Sequence, residues 1–201
     1  MQTINPSSNT AKENYKLLIG SIIPRPIAFV TSLSAEGILN GAPFSFFNAV
    51  GEDPPMISLS INRIDGRKKD TTKNILETKE FVVHIADEDN IEQINQTAAS
   101  LPSNQSEIEL AGLTPVKSNN ISVPGIQESK IRMECILEHA ITLGEQDSLR
   151  DFIIGKVVQF HFADDIYTNG KINPRRLGAV SRLAGTNYAS IGDIFPLKRP
   201  E

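Results

Sequence analysis

Between Pro24 and Ile61 three apolar runs are separated by sharp turn signals, and this stretch sets what the chain can fold into. Ile27 to Ser32 is rich in β-branched and apolar residues, as a largely buried strand requires. Ala35-Glu36-Gly37 turns the chain, with Gly37 free to take positive φ. Asn40 to Phe46 returns. Asp53-Pro54-Pro55 then breaks the chain, because each proline removes a backbone donor and fixes φ. Met56 to Ile61 is the third run, apolar apart from the small hydroxyls of Ser58 and Ser60. The pattern predicts an antiparallel meander with polar groups gathered at one end, around Ser45-Phe46-Phe47-Asn48.

Downstream, the predicted elements are a short helix over 71–79 capped by Asp70 or Thr71, a strand over 81–85, and a helix over 88–100 with Ile91, Ile94 and Ala98 on one face. Two long strands follow, 131–143 and 152–162, with 147–150 turning between them. Residues 164–170 read as a turn region and 191–197 as a last strand or tail. Many strands, few helices and short connections argue for a closed antiparallel barrel. Residues 1–14 are expected to form an N-terminal arm, disordered or laid on a partner, and 15–201 a single domain. Residues 101–129 are rich in Ser, Asn, Pro and Gly; a loop this long in a compact domain is functional or mobile.

Composition excludes several classes. A net charge of −4 argues against a general nucleic-acid binder. Cys135 is the single cysteine, so no internal disulfide forms, which fits a reducing cytosol. No apolar run is long enough to span a bilayer, and the expectation is a cytoplasmic protein without membrane or nucleic-acid partners. No two of the 13 glycines stand two positions apart, so a G-x-G-x-x-G dinucleotide fingerprint cannot occur. His84, His139 and His161 are scattered and no C-x-x-C exists, so no structural metal site is expected.

PRPIAFVTS, then G-x-x-N-G-A-P-F-S-F-F-N, then D-P-P resembles the flavin reductase-like family of FMN-binding split barrels. Lys69-Asp70-Thr71-Thr72-Lys73-Asn74-Ile75 is similar to the family's K-D-T-x-x-N-I segment, and Leu177 to Tyr188 to its closing R-L-G-G-x-x-Y, with Ala184 replacing a glycine. The resemblance spans roughly residues 15–197. It implies a mainly β fold with flanking helices, a Greek-key-like split barrel. It also implies a homodimer that holds FMN non-covalently, uses NAD(P)H as co-substrate, and hands electrons onward, to a monooxygenase among other acceptors.

Binding FMN needs cations, hydroxyls and amides for the phosphate, and an apolar slab for the ring. The candidate residues are Arg25, Pro26 and Thr31 on the first strand; Ser45, Phe46, Phe47 and Asn48 where the second ends; Arg63, Lys69, Asp70, Thr71 and Thr72 around the predicted helix; and Arg182 and Tyr188 in the closing motif. Arg67 could add charge. Each also has a purely structural reading: Ser45 and Asn48 in a turn, Thr71 as a helix cap, Arg67-Lys68-Lys69 as a solvated face, Arg25 as a surface residue before a rigid proline. No catalytic acid or base is assigned, because the flavin carries the chemistry. The alternatives are an FMN-binding electron carrier or sensor, and a cofactor-free structural dimer.

Overall fold

The computed structural model describes residues 1–145 and 148–200. Helix α1, Ala11–Ser21, begins inside the expected arm, after a 3-10 turn at Pro6–Ser8. A capping box starts it: Thr10 Oγ1 accepts the Glu13 N–H and the Glu13 carboxylate accepts the Thr10 N–H. The strands that follow are β1 (Arg25–Pro26), β2 (Ala28–Leu33), β3 (Leu39–Phe44), β4 (Phe47–Glu52) and β5 (Pro55–Asn62). Gly37, at φ +84°, makes the β2–β3 turn. Then come α2 (Asp70–Thr78), β6 (Glu80–Ile85), α3 (Ile91–Gln96), α4 (Glu107–Leu110), β7 (Pro115–Val116) and β8 (Gly125–Ile126). The chain ends with β9 (Ile131–Leu143), β10 (Arg150–Phe162), the β11–β12 hairpin (Tyr167–Thr168, Lys171–Ile172), α5 (Pro174–Leu177), β13 (Ser181–Arg182) and β14 (Tyr188–Ala189).

A seven-stranded antiparallel sheet runs in the order β3-β2-β6-β9-β10-β5-β4. β2 and β3 pair as the meander requires, but β5 does not join them; it pairs with β4 and β10. The return strand stops at Phe44, and Ser45-Phe46 carry the chain from one edge of the sheet to the other. The sheet has curled until β3 and β5 touch, although four strands separate them in the order. This is the split barrel, and the seam lies at Ser45-Phe46.

β2 reads as an unbroken apolar run because both of its faces are covered. Ala28 and Val30 face the barrel interior with Leu59, Ile61, Ile75, Phe81 and Ile153. Ile27 and Phe29 face a second cluster with Ile94, Ile108 and Ile126 outside it. The excursion over 101–129 is ordered and docked: Ile108 is buried, Ser106 Oγ donates to the Leu39 carbonyl, and Thr31 Oγ1 donates to that of Pro124.

Two helices differ from expectation. α2 has Lys69 as N-cap with no side-chain cap bond, so neither Asp70 nor Thr71 caps it. α3 spans six residues where thirteen were expected. Asn90 Oδ1 accepts the Asp87 N–H ahead of it, and Thr97 Oγ1 donates back to the Ile94 carbonyl behind it, closing both ends. Residues 191–200 carry no regular structure, and the expected turn residue Asp147 lies outside the described residues. Among the described residues no helix is long and apolar enough to cross a membrane.

Candidate functional site

Three clefts share Pro43, and two of them reach the seam at Ser45. The first, about 620 Å³, lies between α1 and the β3–β4 crossing, with Tyr15, Ser45, Phe46, Ser60, Asn62, Arg63, Lys69 and Arg150 among its walls. The second, about 270 Å³, shares Tyr15, Phe44 and Ser45 with it and adds Arg25, Ile94, Asn95, Arg182 and Tyr188. The third, about 450 Å³, shares Lys69 with the first and runs along the N-terminal turn of α2.

The first cleft gathers cations and hydroxyl groups. Arg150 stands at the start of β10, opposite Asn62 of β5. Its Nε donates to Ser60 Oγ at 2.8 Å and its terminal nitrogen to the Ser60 carbonyl at 2.8 Å. Lys69 sits half-buried with Nζ 5.6 Å from the centre of the Phe44 ring. Burial, together with the charge of Arg150, pushes the Lys69 ammonium below its ordinary pKa. Among the described residues neither cation has a carboxylate partner, whereas Arg63 is neutralised by Asp151 at 2.7 Å. Burial lowers the pKa of both Lys69 and Arg150, and Arg150 lowers that of Lys69 further; an anion bound beside them would offset these effects.

The second cleft is amphipathic. Tyr188 donates its hydroxyl to Asn95 Oδ1 at 3.0 Å, and the Arg182 guanidinium lies 4.4 Å from the Tyr188 ring while bonding to its oxygen. Arg25 reaches this cleft, but its terminal nitrogens are held by carbonyls: Ile19 at 2.7 Å, Ile22 at 2.5 Å and Leu183 at 2.9 Å. Buried Arg25 therefore ties the end of α1 to the closing motif and is not a surface residue.

Ser45, Phe46, Arg63, Lys69, Arg182 and Tyr188 line the first two clefts, as Arg25 does, and Asp70 and Thr71 line the third. Thr31, Phe47, Asn48, Thr72 and Pro26 line none of the three. Thr31 is buried under the excursion, and Phe47 packs on the barrel core. Asn48 is exposed on β4, its side chain accepting the Ala49 N–H. Thr72 is wholly buried with its hydroxyl unpartnered. Thr71 Oγ1 donates to Asn40 Oδ1 at 2.8 Å, inside a buried network in which Asn40 Nδ2 donates to Glu107 at 2.9 Å.

Sequence reasoning missed Arg150, Ser60 and Tyr15. The sequence places Arg150 in the 147–150 turn, whereas it opens β10, and the β10–β5 register sets it opposite Asn62. Tyr15 lay next to the supposed arm, yet its ring stacks on Phe46 with centroids 6.5 Å apart. Among the described residues no histidine or cysteine lines these clefts, and no cluster suited to a metal ion occurs. His84 is buried and neutral, pushed down to about 3 by burial, and Cys135 is buried with its thiol pushed well up for the same reason.

The curled antiparallel barrel, split at Ser45-Phe46, is the fold of the flavin reductase-type oxidoreductases. Residues 19–176 match the family described as flavin reductase like domain, and the chain belongs to that family. It is 57% identical to nitrilotriacetate monooxygenase component B from Bacillus cereus, with a TM-score of 0.96 and 98% of each chain covered. It is 34% identical to the 2-nitrobenzoate 2-nitroreductase NbaA of Pseudomonas fluorescens, with a TM-score of 0.90, covering 99% of this chain and 96% of the other. A split-barrel domain from Shewanella frigidimarina shares the fold at 20% identity and a TM-score of 0.86, with both chains fully covered.

Proposed function

We propose that the protein binds FMN at the seam and reduces it with NAD(P)H. The observation that carries this is the pair of cations, Lys69 and Arg150, which have no carboxylate partner among the described residues and stand beside Ser60 and Asn62. They fit a phosphate of about −2 charge, which removes their mutual repulsion. Pro43, Phe44 and Tyr15 supply apolar wall between this cleft and the second, where the flavin ring would be held. Arg182, Tyr188 and Asn95 supply polar contacts at the far end. When bound, the flavin accepts a hydride from the reduced pyridine nucleotide and passes electrons on. The residues of this chain position the two ligands, keep water from the ring face and balance its charge.

The reading includes a homodimer in the cytoplasm. α1 and its C-cap expose Leu17, Leu18 and Ile22, and β9 exposes Ile136, Ile141 and Leu143, apolar surface suited to a second copy. The similarity to a monooxygenase component supports a monooxygenase as acceptor of the reduced flavin.

The test is an anaerobic stopped-flow measurement on purified protein reconstituted with FMN. Bleaching of flavin absorbance by NADH or NADPH is expected, with added free flavin turned over repeatedly. If dithionite bleaches the flavin and neither nucleotide does, the protein is an electron carrier and the reductase reading fails.

A further inference from the structure

A fourth cleft, about 360 Å³, opens beside the second and shares Ile91, Asn95 and Tyr188 with it. Ile91, Val180, Tyr188 and Ala189 make its apolar wall. Its charged groups are Glu88, ahead of α3, and Glu92, in the first turn of α3. Both are exposed, and among the described residues neither carboxylate has a cation partner. The rim ends at Ser190, where the segment 191–200 departs. That segment has no regular structure and, among the described residues, no backbone hydrogen bond to the rest of the chain. It carries Ile194, Phe195 and Leu197 at 52%, 71% and 84% exposure. Lys198 and Arg199 follow, also without a carboxylate partner among the described residues. Large apolar side chains gathered on a solvent-facing segment mark an interaction site.

We propose that residues 194–199 of a second copy of this chain dock in this cleft. The two surfaces are complementary in both kinds of group. Phe195 and Leu197 match the wall of Ile91, Val180 and Tyr188, and Lys198 and Arg199 match Glu88 and Glu92. An aromatic anchor in an apolar cleft supplies the attraction, and the opposite charges at its edge fix the register. The segment's own cleft does not take these side chains: the segment leaves from its rim with Phe195 and Leu197 turned to solvent. Under two-fold symmetry the exchange is reciprocal, each segment leaving the rim of one cleft and entering the other. Pro196 fixes φ between the two anchors, so less chain freedom is lost on docking. Seated there, the segment closes the outer side of the second cleft at Asn95 and Tyr188, so each copy completes the ring cleft of the other. The inference rests on the homodimer of the proposed reading, and not on the identity of the flavin or of its reductant.

The chain contains no tryptophan, so Phe195→Trp places a single reporter in the segment. Its emission is expected at short wavelength, as for an indole removed from water. In that background E88K/E92K and K198E/R199E should each move the emission to the solvent-like maximum. The four charge changes together should bring it back, because the charges are again opposite. The wild-type chain then shows which copy is entered. Isotopically light and heavy copies, unfolded and refolded together, are treated with a carbodiimide, which joins an ammonium to a carboxylate in contact with it. Peptides linking Lys198 to Glu88 or Glu92 are expected as pairs of mixed isotope. Solvent-like emission from Phe195→Trp, no return of the blue shift when the four charges are exchanged, or links confined to one isotope overturns the proposal. Light scattering separates the two readings: a dimer with any of these negative results sinks the docking alone, and a monomer sinks the homodimer with it. No arm requires flavin to be bound or reduced.

Discussion

The guanidinium of Arg150 lies 4.5 Å from the centre of the Phe46 ring while its Nε and terminal nitrogen grip Ser60, so one side chain from β10 fixes both sides of the barrel seam. The guanidinium is thus fixed in place, and on the proposed reading it meets the FMN phosphate already oriented. Arg150→Ala should weaken FMN by about 1.5–3 kcal/mol, roughly ten- to a hundredfold, and leave riboflavin almost unchanged. Arg150→Lys should recover little, since an ammonium cannot make both Ser60 bonds and stack on Phe46. Flavin fluorescence titrations with the two ligands check this; equal losses for FMN and riboflavin would remove Arg150 from the phosphate site.

The same cleft predicts a pH dependence. The Lys69 ammonium is held below its ordinary pKa by burial and by Arg150. It is therefore charged at low pH and becomes neutral, as pH rises, earlier than a solvated lysine. Attraction for the FMN phosphate is present below that pKa and lost above it. FMN affinity should thus fall at moderately alkaline pH, riboflavin affinity should not follow, and Lys69→Ala should flatten the FMN profile. A wild-type profile parallel for both ligands would show that Lys69 does not meet the phosphate.

How much of this could be read beforehand depended on where the deciding force lies. β9 spans Ile131–Leu143 as its apolar run predicted, and β10 starts two residues before expectation. Local pattern suffices for such long strands. β4, with the sequence FNAVGE, carries little strand propensity; it forms because β5 offers its edge across the Asp53-Pro54 turn. α1 had a legible start signal in Thr10 and Glu13, three apart, which the polar composition of the arm obscured. The site divided in the same way. Lys69 and Ser45 belong to motifs, whereas Arg150 and Ser60 meet through strand register, which no local spacing encodes. For Thr31 and Thr72 the residue type suited a ligand, but the side each faces is set by tertiary packing, and both are buried away from the clefts.

Gly155 makes the barrel interior possible. It sits at a β10 irregularity, where a Cβ would overlap the ring of Phe81. Phe81 is fully buried in the core, so the ring has nowhere to move. Gly155→Ala should cost about 1–3 kcal/mol, read as a lower urea midpoint. Adding Phe81→Leu should cost less than the sum of the two single changes, because the smaller side chain makes room for the new methyl. A Gly155→Ala protein as stable as wild type would refute the overlap.

The docked excursion is held by a carboxylate whose ionisation is readable in acid. Glu134, buried on β9, accepts the Asn119 N–H and His161 Nε2 on one oxygen and the Asn120 N–H on the other, each at 2.7 Å. Burial alone would raise its pKa, but these donors outweigh burial and bring it below the ordinary value. The sign follows: a folded-state pKa below the unfolded value of about 4.3 means that this contribution is fully present above that pH and is lost as pH falls through the folded value. Glu134→Gln removes the charge while keeping one acceptor, and should cost about 1.5–3 kcal/mol at pH 7. The gap between wild type and variant should then shrink as pH is lowered below about 4, because the wild-type carboxyl protonates too. Amide hydrogen exchange at Asn119 and Asn120 should accelerate in the variant at neutral pH. Urea unfolding at pH 7, 5 and 3.5 gives the stability difference directly. A difference independent of pH would mean that Glu134 holds the excursion by packing and not by its charge.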